Sequence, residues 1–295
     1  MIKCLLALLL FAISFSTFSS ISITTYNIRN FNYNSNGKQT NLKELAKIIK
    51  STKSHIIGVQ EIKNELNLRK FVKDKLTGYS LSLSKCGGGG GQKLGFIYKK
   101  ARFKIIETRE DRSLTNILAK TPQGCGSLRP AFILKMYDKT EKVNITGIVV
   151  HLKAGGGNRN YYKRWLQYEK LSEIINKMKK NGEEHLFVLG DFNTTGYLDQ
   201  DTDYRNFLKM MNMSGLVEST KTIDCSNYWK AGRRLHQPSK LDHVLVTPSF
   251  MNLQRRGSSV YGHCKQKRCI ESLPKDLGLS YNEVSDHCPV KVTFQ

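Results

Sequence analysis

The chain has 295 residues, enough for one large domain or two small ones and for a substantial buried core. A hydrophobic content of 39% and a charged fraction of 24% are ordinary for a soluble globular protein and exclude a chain too polar to bury a core. The 47 Lys and Arg against 24 Asp and Glu give a net charge of +23. Such an excess points to polyanionic partners, nucleic acid or an anionic membrane surface, unless a general surplus of lysine accounts for it.

At the N-terminus, Lys3 precedes an apolar stretch from Leu5 to Ile13, and small residues follow around Thr17 to Ser20. This pattern predicts a cleavable signal peptide over 1–19, with one mature domain over 20–295. The apolar stretch is too short for a comfortable membrane span, so no stable membrane insertion is expected. Strand-length apolar runs then recur at 21–26, 55–60, 94–98, 132–136, 145–150, 186–189, 244–246 and 290–294. Between them, 41–50 places Leu42, Leu45, Ile48 and Ile49 on one side of a helix, with Thr40 or Asn41 as its cap. The segment 161–180 is the clearest helix, with Trp165, Leu171, Ile174, Ile175 and Met178 on its apolar face. Many strands mixed with a few long helices predict an α/β sandwich of two packed sheets with helices outside.

The ends of these runs carry polar residues. Asn27 follows Tyr26, Glu61 follows IIGVQ, His151 follows ITGIVV, and Asp191 and Asn193 follow LFVLG. Asp242 precedes the run HVLV, while Asp286 and His287 precede the last strand. A single case of this kind reads as a cap or a turn residue. Six in one chain, all Asp, Glu, Asn or His, point to one rim of a sheet where a site is assembled.

The inventory is rich in oxygen and contains no Cys/His cluster, which favours Mg²⁺, with Mn²⁺ or Ca²⁺ as alternatives, over zinc. Two histidines beside carboxylates suit paired proton transfer, one at water and one at a leaving oxygen. With a cation on a phosphoryl oxygen, these parts describe phosphoester hydrolysis. No GxSxG elbow supports a serine nucleophile.

TYNIRNF, VQEIK, GQKLGFIY, VVHLKAGGG, GDFNTTG, KLDHVLV and SDHCPV occur in the order found in the endonuclease/exonuclease/phosphatase superfamily. The chain resembles that superfamily, and its deoxyribonuclease I-like members in particular, from about residue 22 to 294. The resemblance implies a four-layered sandwich of two mixed β-sheets flanked by helices. It also implies Glu61 as principal metal ligand with Asn27 and Asp286 close by, His287 as general base oriented by Asp242, and His151 as general acid or leaving-group stabiliser. Asp191 and Asn193 would hold the phosphate, the nucleophile or a second metal, and Arg129 would contact a phosphate. The chain departs from the deoxyribonuclease pattern at Gln92, where a glutamate would pair with the acid histidine. Gln92 could orient His151 but not stabilise its charged form.

Substrates in this superfamily are diverse. Export argues against intracellular inositol phosphates and abasic-site repair, leaving a nuclease or a sphingomyelinase-type phospholipase. No apolar hairpin rich in Trp or Phe is present. Basic stretches with interleaved aromatics are: 158–165, with Arg159, Tyr161 and Arg164 as substrate contacts, 228–236 and 254–268. A monomeric nuclease acting on DNA, with RNA as the alternative substrate, is therefore expected, secreted or periplasmic. A nuclease-fold toxin subunit acting with partner chains is the variant to set against it. Once Cys4 is removed with the leader, six cysteines remain and predict three disulfides of open pairing, with Cys264 and Cys269 able to close a small basic loop. The spacing of Asp199, Asp201 and Asp203 reads as an acidic turn before a structural Ca²⁺ site.

Overall fold

The computed structural model describes residues 20–32, 39–118, 124–197, 201–230, 232, 234–251 and 257–294. The expected signal peptide and Asp199 lie outside them.

Alternation along the strands assigns each side chain to a layer. In β8 (Leu186–Asp191), Phe187 and Leu189 enter one cluster while Leu186 and Val188 enter another on the opposite face. That is period-2 geometry in a strand buried on both sides. The first cluster also holds Ile23, Ile56, Phe96, Phe132, Val149, Val244 and Val292, so it is the core between two sheets.

One sheet contains β1 (Ile21–Phe31), β2 (Ile56–Ile62), β3 (Tyr79–Leu83), β4 (Lys93–Lys99), β13 (Ser258–Val260) and β14 (Val290–Phe294), in the order β13-β14-β1-β2-β4-β3. The other contains β5 (Phe103–Asp111), β6 (Ala131–Asp138), β7 (Val143–His151), β8, β9 (Val217–Glu218) and β12 (Asp242–Val246), in the order β5-β6-β7-β8-β12-β9. A separate hairpin pairs β10 (Asn227–Trp229) with β11 (Gln237–Ser239). Both six-stranded sheets are mixed: β1 runs parallel to β2 and β7 parallel to β8, with the other pairings antiparallel. The expected four-layered sandwich is observed.

Helices α1 (Leu42–Thr52) and α2 (Glu65–Lys75) cover the first sheet. Asn41 caps α1 by accepting from Glu44 N, so it is Asn41 rather than Thr40 that serves this end. Helices α3 (Asn158–Lys180) and α4 (Thr202–Ser214) cover the second. Asp201 caps α4 by accepting from Asp203 N and Tyr204 N, so the acidic run is used as a helix start.

Three disulfides close as expected in number: Cys86–Cys125, Cys225–Cys269 and Cys264–Cys288. The small loop envisaged between Cys264 and Cys269 does not form. The helix Gly262–Lys267 turns Cys264 inward to Cys288 and leaves Cys269 to meet Cys225.

Strand register, parallel between β7 and β8 and antiparallel between β8 and β12, gathers the polar strand ends. In the second sheet His151 pairs with Asp191, and Asp191 with Asp242, so three polar residues form one row across β7, β8 and β12. In the first, Asn27 pairs with Gln60, the neighbour of Glu61. Gly190 sits one residue before this row, paired with Val150 and His243, with φ near 145°, and a Cβ there would overlap the Val150 carbonyl oxygen. Gly190→Ala is therefore expected to cost about 3 kcal/mol or more. Urea unfolding checks this, and a variant within about 0.5 kcal/mol of the parent would refute it.

Candidate active site

Asn27, Glu61, His151, Asp191, Asn193, Asp242 and His287 converge where the two sheets meet. Asn27 Nδ2 donates to Glu61 Oε1 at 3.1 Å and to Asp191 Oδ2 at 3.0 Å, joining a carboxylate from each sheet. Asn27 Oδ1 accepts from Arg29 N at 2.9 Å, so the amide turns its nitrogen, not its oxygen, towards the carboxylates. Glu61 adopts φ 64° at a register shift in β2, and Asn30 N donates to its Oε2 at 2.9 Å. Asn193 also has positive φ, with its N donating to Asp191 Oδ1 at 2.9 Å and its Nδ2 to Leu152 O at 3.3 Å.

The two histidines flank Asp191. His287 Nε2 is 3.7 Å from Asp191 Oδ2, and its Nδ1 is 2.7 Å from Asp242 Oδ2. His151 Nε2 is 3.4 Å from the same Asp191 oxygen and 3.9 Å from Glu61 Oε1. Both rings are buried, yet they shift in opposite directions. Burial alone would depress His287, but the carboxylates of Asp242 and Asp191 outweigh it and hold the ring well above its ordinary pKa. Burial depresses His151, and Arg129 and His287 add to the effect. Burial also pushes Asp191 up to about 7, with Asp242 and Glu61 adding and His287 and Asn27 opposing.

Crowded carboxylates whose own charge is unfavourable are what a divalent cation relieves. The ligand atoms of Glu61, His151 and Asp191 lie within 4.8 Å of one another, as do those of Asp191, Asp242 and His287. Asp286 belongs to neither group. Its Oδ1 is buried without a hydrogen bond and has Arg29 Nε at 3.7 Å. The donor set with Glu61 and Asp191 at its centre therefore fits a hard cation, and the Asp286 oxygen stands outside it beside Arg29.

Three expected roles change. Arg164 does not reach the surface: it is fully buried, paired with Asp203 at 2.8 Å, and donates to Lys153 O and Gly155 O. It fixes the loop after His151 rather than meeting a phosphate. Gln92 does not orient His151: it donates to Asn30 Oδ1 at 2.9 Å, and His151 Nδ1 is left buried without a partner. The Gly87–Gly91 turn ahead of Gln92 directs it to the β1 end instead. Asn27, expected as an oxygen ligand, holds the two carboxylates through its nitrogen. Arg129 donates to His151 O at 2.9 Å and Leu152 O at 2.6 Å, which sets its charge beside the site. Arg159 is exposed on the first turn of α3, and Tyr161 OH is 3.3 Å from Asp201 Oδ2.

Glu218, Lys240 and His243 were not marked by strand-end position. Lys240 Nζ is 3.0 Å and His243 Nδ1 2.8 Å from Glu218 Oε1, all three side chains buried. His243 lies on the face of β12 opposite Asp242, so this ion cluster anchors the strand that carries the His287 partner. The one sequence signal was a lysine and a histidine flanking Asp242 in KLDH.

Residues 24–287 match the endonuclease/exonuclease/phosphatase family. The chain belongs to this family. No curated protein matches the sequence. Among solved structures it is similar to a family protein from Bacteroides thetaiotaomicron, at 22% identity and TM-score 0.64, covering 93% of this chain and 97% of that one. It is similar to D. rerio TDP2 complexed with single-strand DNA product, at 14% identity and TM-score 0.62, covering 94% and 99%. A mannosyl-6-phosphatase of Bacteroides thetaiotaomicron gives 20% identity and TM-score 0.61, covering 92% and 98%. At these identities the likeness shows the shared fold. As a member of the family the chain is a hydrolase, and members are generally dependent on a divalent metal.

Arg164 supplies a direct test of its structural role. Arg164→Met leaves Asp203 buried without its partner and is expected to cost about 3–5 kcal/mol, measured by thermal or urea unfolding. The double change with Asp203→Leu should recover most of that loss. A raised KM at unchanged stability would instead return Arg164 to substrate contact.

Proposed function

We propose that the protein is an exported, divalent-metal-dependent phosphodiesterase that cuts DNA with little sequence selectivity, with RNA as the alternative substrate. The observation that carries this reading is the pair of histidines on either side of Asp191, one tied to a carboxylate and one not. His287 Nδ1 donates to Asp242, which leaves Nε2 as the acceptor that takes a proton from water. Asp242, through its charge and this bond, is the leading carboxylate contribution to the basicity of the ring. His151, kept neutral by burial and Arg129, offers an Nε2–H to the departing oxygen, so it acts as a leaving-group stabiliser rather than an imidazolium acid. Glu61 and Asp191 would hold Mg²⁺, or Mn²⁺ or Ca²⁺ in its place. The cation supplies neutralisation of charge developing on a phosphoryl oxygen. Asn193 and Arg129 would position the phosphate.

The charge of +23 and the exposed Arg159 support a polyanionic substrate gripped through its phosphates, by a monomer. The N-terminal apolar segment and three disulfides support export.

Purified residues 20–295 should nick supercoiled plasmid with Mg²⁺, fail in EDTA, and lose about 10²- to 10⁴-fold on His287→Ala. Nicking that survives both EDTA and His287→Ala would sink this mechanism. Raising salt from about 50 to 200 mM should weaken DNA binding by at least about tenfold, and a flat response would remove phosphate contacts as the source of affinity.

The pH profile follows from Asp242. A base must be neutral to act, and Asp242 supports the charged ring of His287 against its burial, so the acidic limb of kcat/KM reports this pair. Asp242→Asn removes that support, so the limb should move to lower pH while the maximal rate falls. A limb that stays in place would show that another group titrates there.

A further inference from the structure

A concave cleft of about 470 Å³ opens from the Asn193 end of the site, a size that suits a small organic group. Its walls include Asn193, Tyr161 and Tyr197 on one side and Asn227, Trp229 and Gln237 of the β10–β11 hairpin on the other. Gly155 and Gly156 form part of the rim, where the absence of side chains keeps the mouth open.

Two of the rings are held in advance. Tyr197 OH donates to Glu218 Oε2 at 2.9 Å, and Lys240 Nζ lies 4.1 Å from its ring centre. Tyr161 is hydrogen-bonded to Asp201 and has the Arg164 guanidinium 5.3 Å from its ring centre. Trp229 differs. It is 50% exposed at the rim, and among the described residues no ring or cation packs on it. A large flat apolar surface left half in water at the lip of a cleft suits a flat ligand.

Charge selects among flat ligands. Lys153, two residues after His151, lies among the like charges of Lys163, Arg129 and Arg159, while the charge of Arg164 is neutralised by Asp203. A neutral sugar or an acyl chain leaves these charges unused. An aromatic ring attached to a phosphate uses both features.

We propose that this cleft takes up one unpaired nucleobase of the strand being cut, stacked on Trp229 and Tyr161, and so favours single strands over duplex. The proposal rests on the phosphodiesterase reading for its consequence in catalysis, but not for its binding test. A base in a duplex has its faces stacked and its edge paired, so it must flip out before it can enter a cleft of this size. A base in a single strand is already free to enter.

The sequence contains two tryptophans, so Trp165→Phe leaves Trp229 as the one emitter. In residues 20–295 carrying Trp165→Phe, with EDTA present, thymidine 5′-monophosphate should quench Trp229 fluorescence saturably. Inorganic phosphate and ribose 5-phosphate at equal concentration should not. Quenching by ribose 5-phosphate equal to that by the nucleotide, or none by any of the three, overturns the base-binding assignment. With Mg²⁺, Trp229→Ala should lower kcat/KM on a short single-stranded DNA about tenfold, the scale of one lost stacking contact, and lower the ratio of single-strand to duplex cleavage similarly. An equal loss on both substrates overturns the strand preference. Saturable quenching without hydrolysis of either DNA would reject the diesterase reading and keep the cleft. Hydrolysis without quenching, and indifferent to Trp229→Ala, would do the reverse.

Discussion

The amide nitrogen of Asn27 holds the site together. It donates at once to Glu61 from its own sheet and to Asp191 from the other, at 3.1 and 3.0 Å. Two carboxylates brought this close repel each other, and a shared donor is one of the few neutral groups that offsets this. Asn27 is itself fixed, since its carbonyl accepts from Ser285 Oγ at 2.7 Å and its side-chain oxygen from Arg29 N. Ser285 Oγ also accepts from His287 N at 3.1 Å, so the base and the carboxylate bridge hang from one hydroxyl. Slipping any of these strands by one residue would turn its polar end away from the others.

The opposite behaviour of two equally buried histidines follows from what each faces. His287 meets two carboxylates, and their attraction for the charged ring exceeds the cost of burying it. His151 Nε2 also has the Asp191 and Glu61 carboxylates at 3.4 and 3.9 Å, but no hydrogen bond ties its Nδ1, and burial, with Arg129 and His287 adding, prevails and lowers its pKa. Gln92 donates to Asn30 and leaves His151 Nδ1 without an orienting bond. The contrast between the two histidines is built into the packing.

Strands and long helices were legible because burial on one or both faces imposes a period on the sequence. The runs at 21–26, 132–136 and 186–189 lie within β1, β6 and β8, and the 161–180 segment lies within α3. The polar strand ends were legible for a related reason: a polar residue at the end of a buried run must be satisfied by something. Arg164 was misread as surface because its neighbours are basic and aromatic. Its position could have corrected this, since 164, 168, 171, 175 and 178 form one buried stripe of α3. Asp203, its partner, is 39 residues away, and no local pattern links the two. Disulfide pairing was equally inaccessible, because which cysteines meet depends on how the loops between them are folded.

Those disulfides matter most where regular structure is scarcest. Between β9 and β14 the described residues form short elements only, and the cluster there contains Cys225, Tyr228, Cys264, Leu277, Tyr281 and Cys288. Half of that apolar cluster is cysteine, so packing alone gives little hold on the segment that carries His287. Closing separations of 44 and 24 residues removes about 3–4 kcal/mol of chain entropy from the unfolded state for each bond. The bonds also fall at the right places. Cys288 adjoins His287, and its N donates to Ser226 O at 2.7 Å. Ser226 adjoins Cys225, and its Oγ accepts from Leu241 N and Asp242 N, each at 3.0 Å. Both members of the Asp242–His287 pair are thus moored to one serine between two cross-links. Among the described residues the apolar clusters of the two sheets contain no cysteine, so reduction would bear on the Asp242–His287 pair more directly than on the sheets.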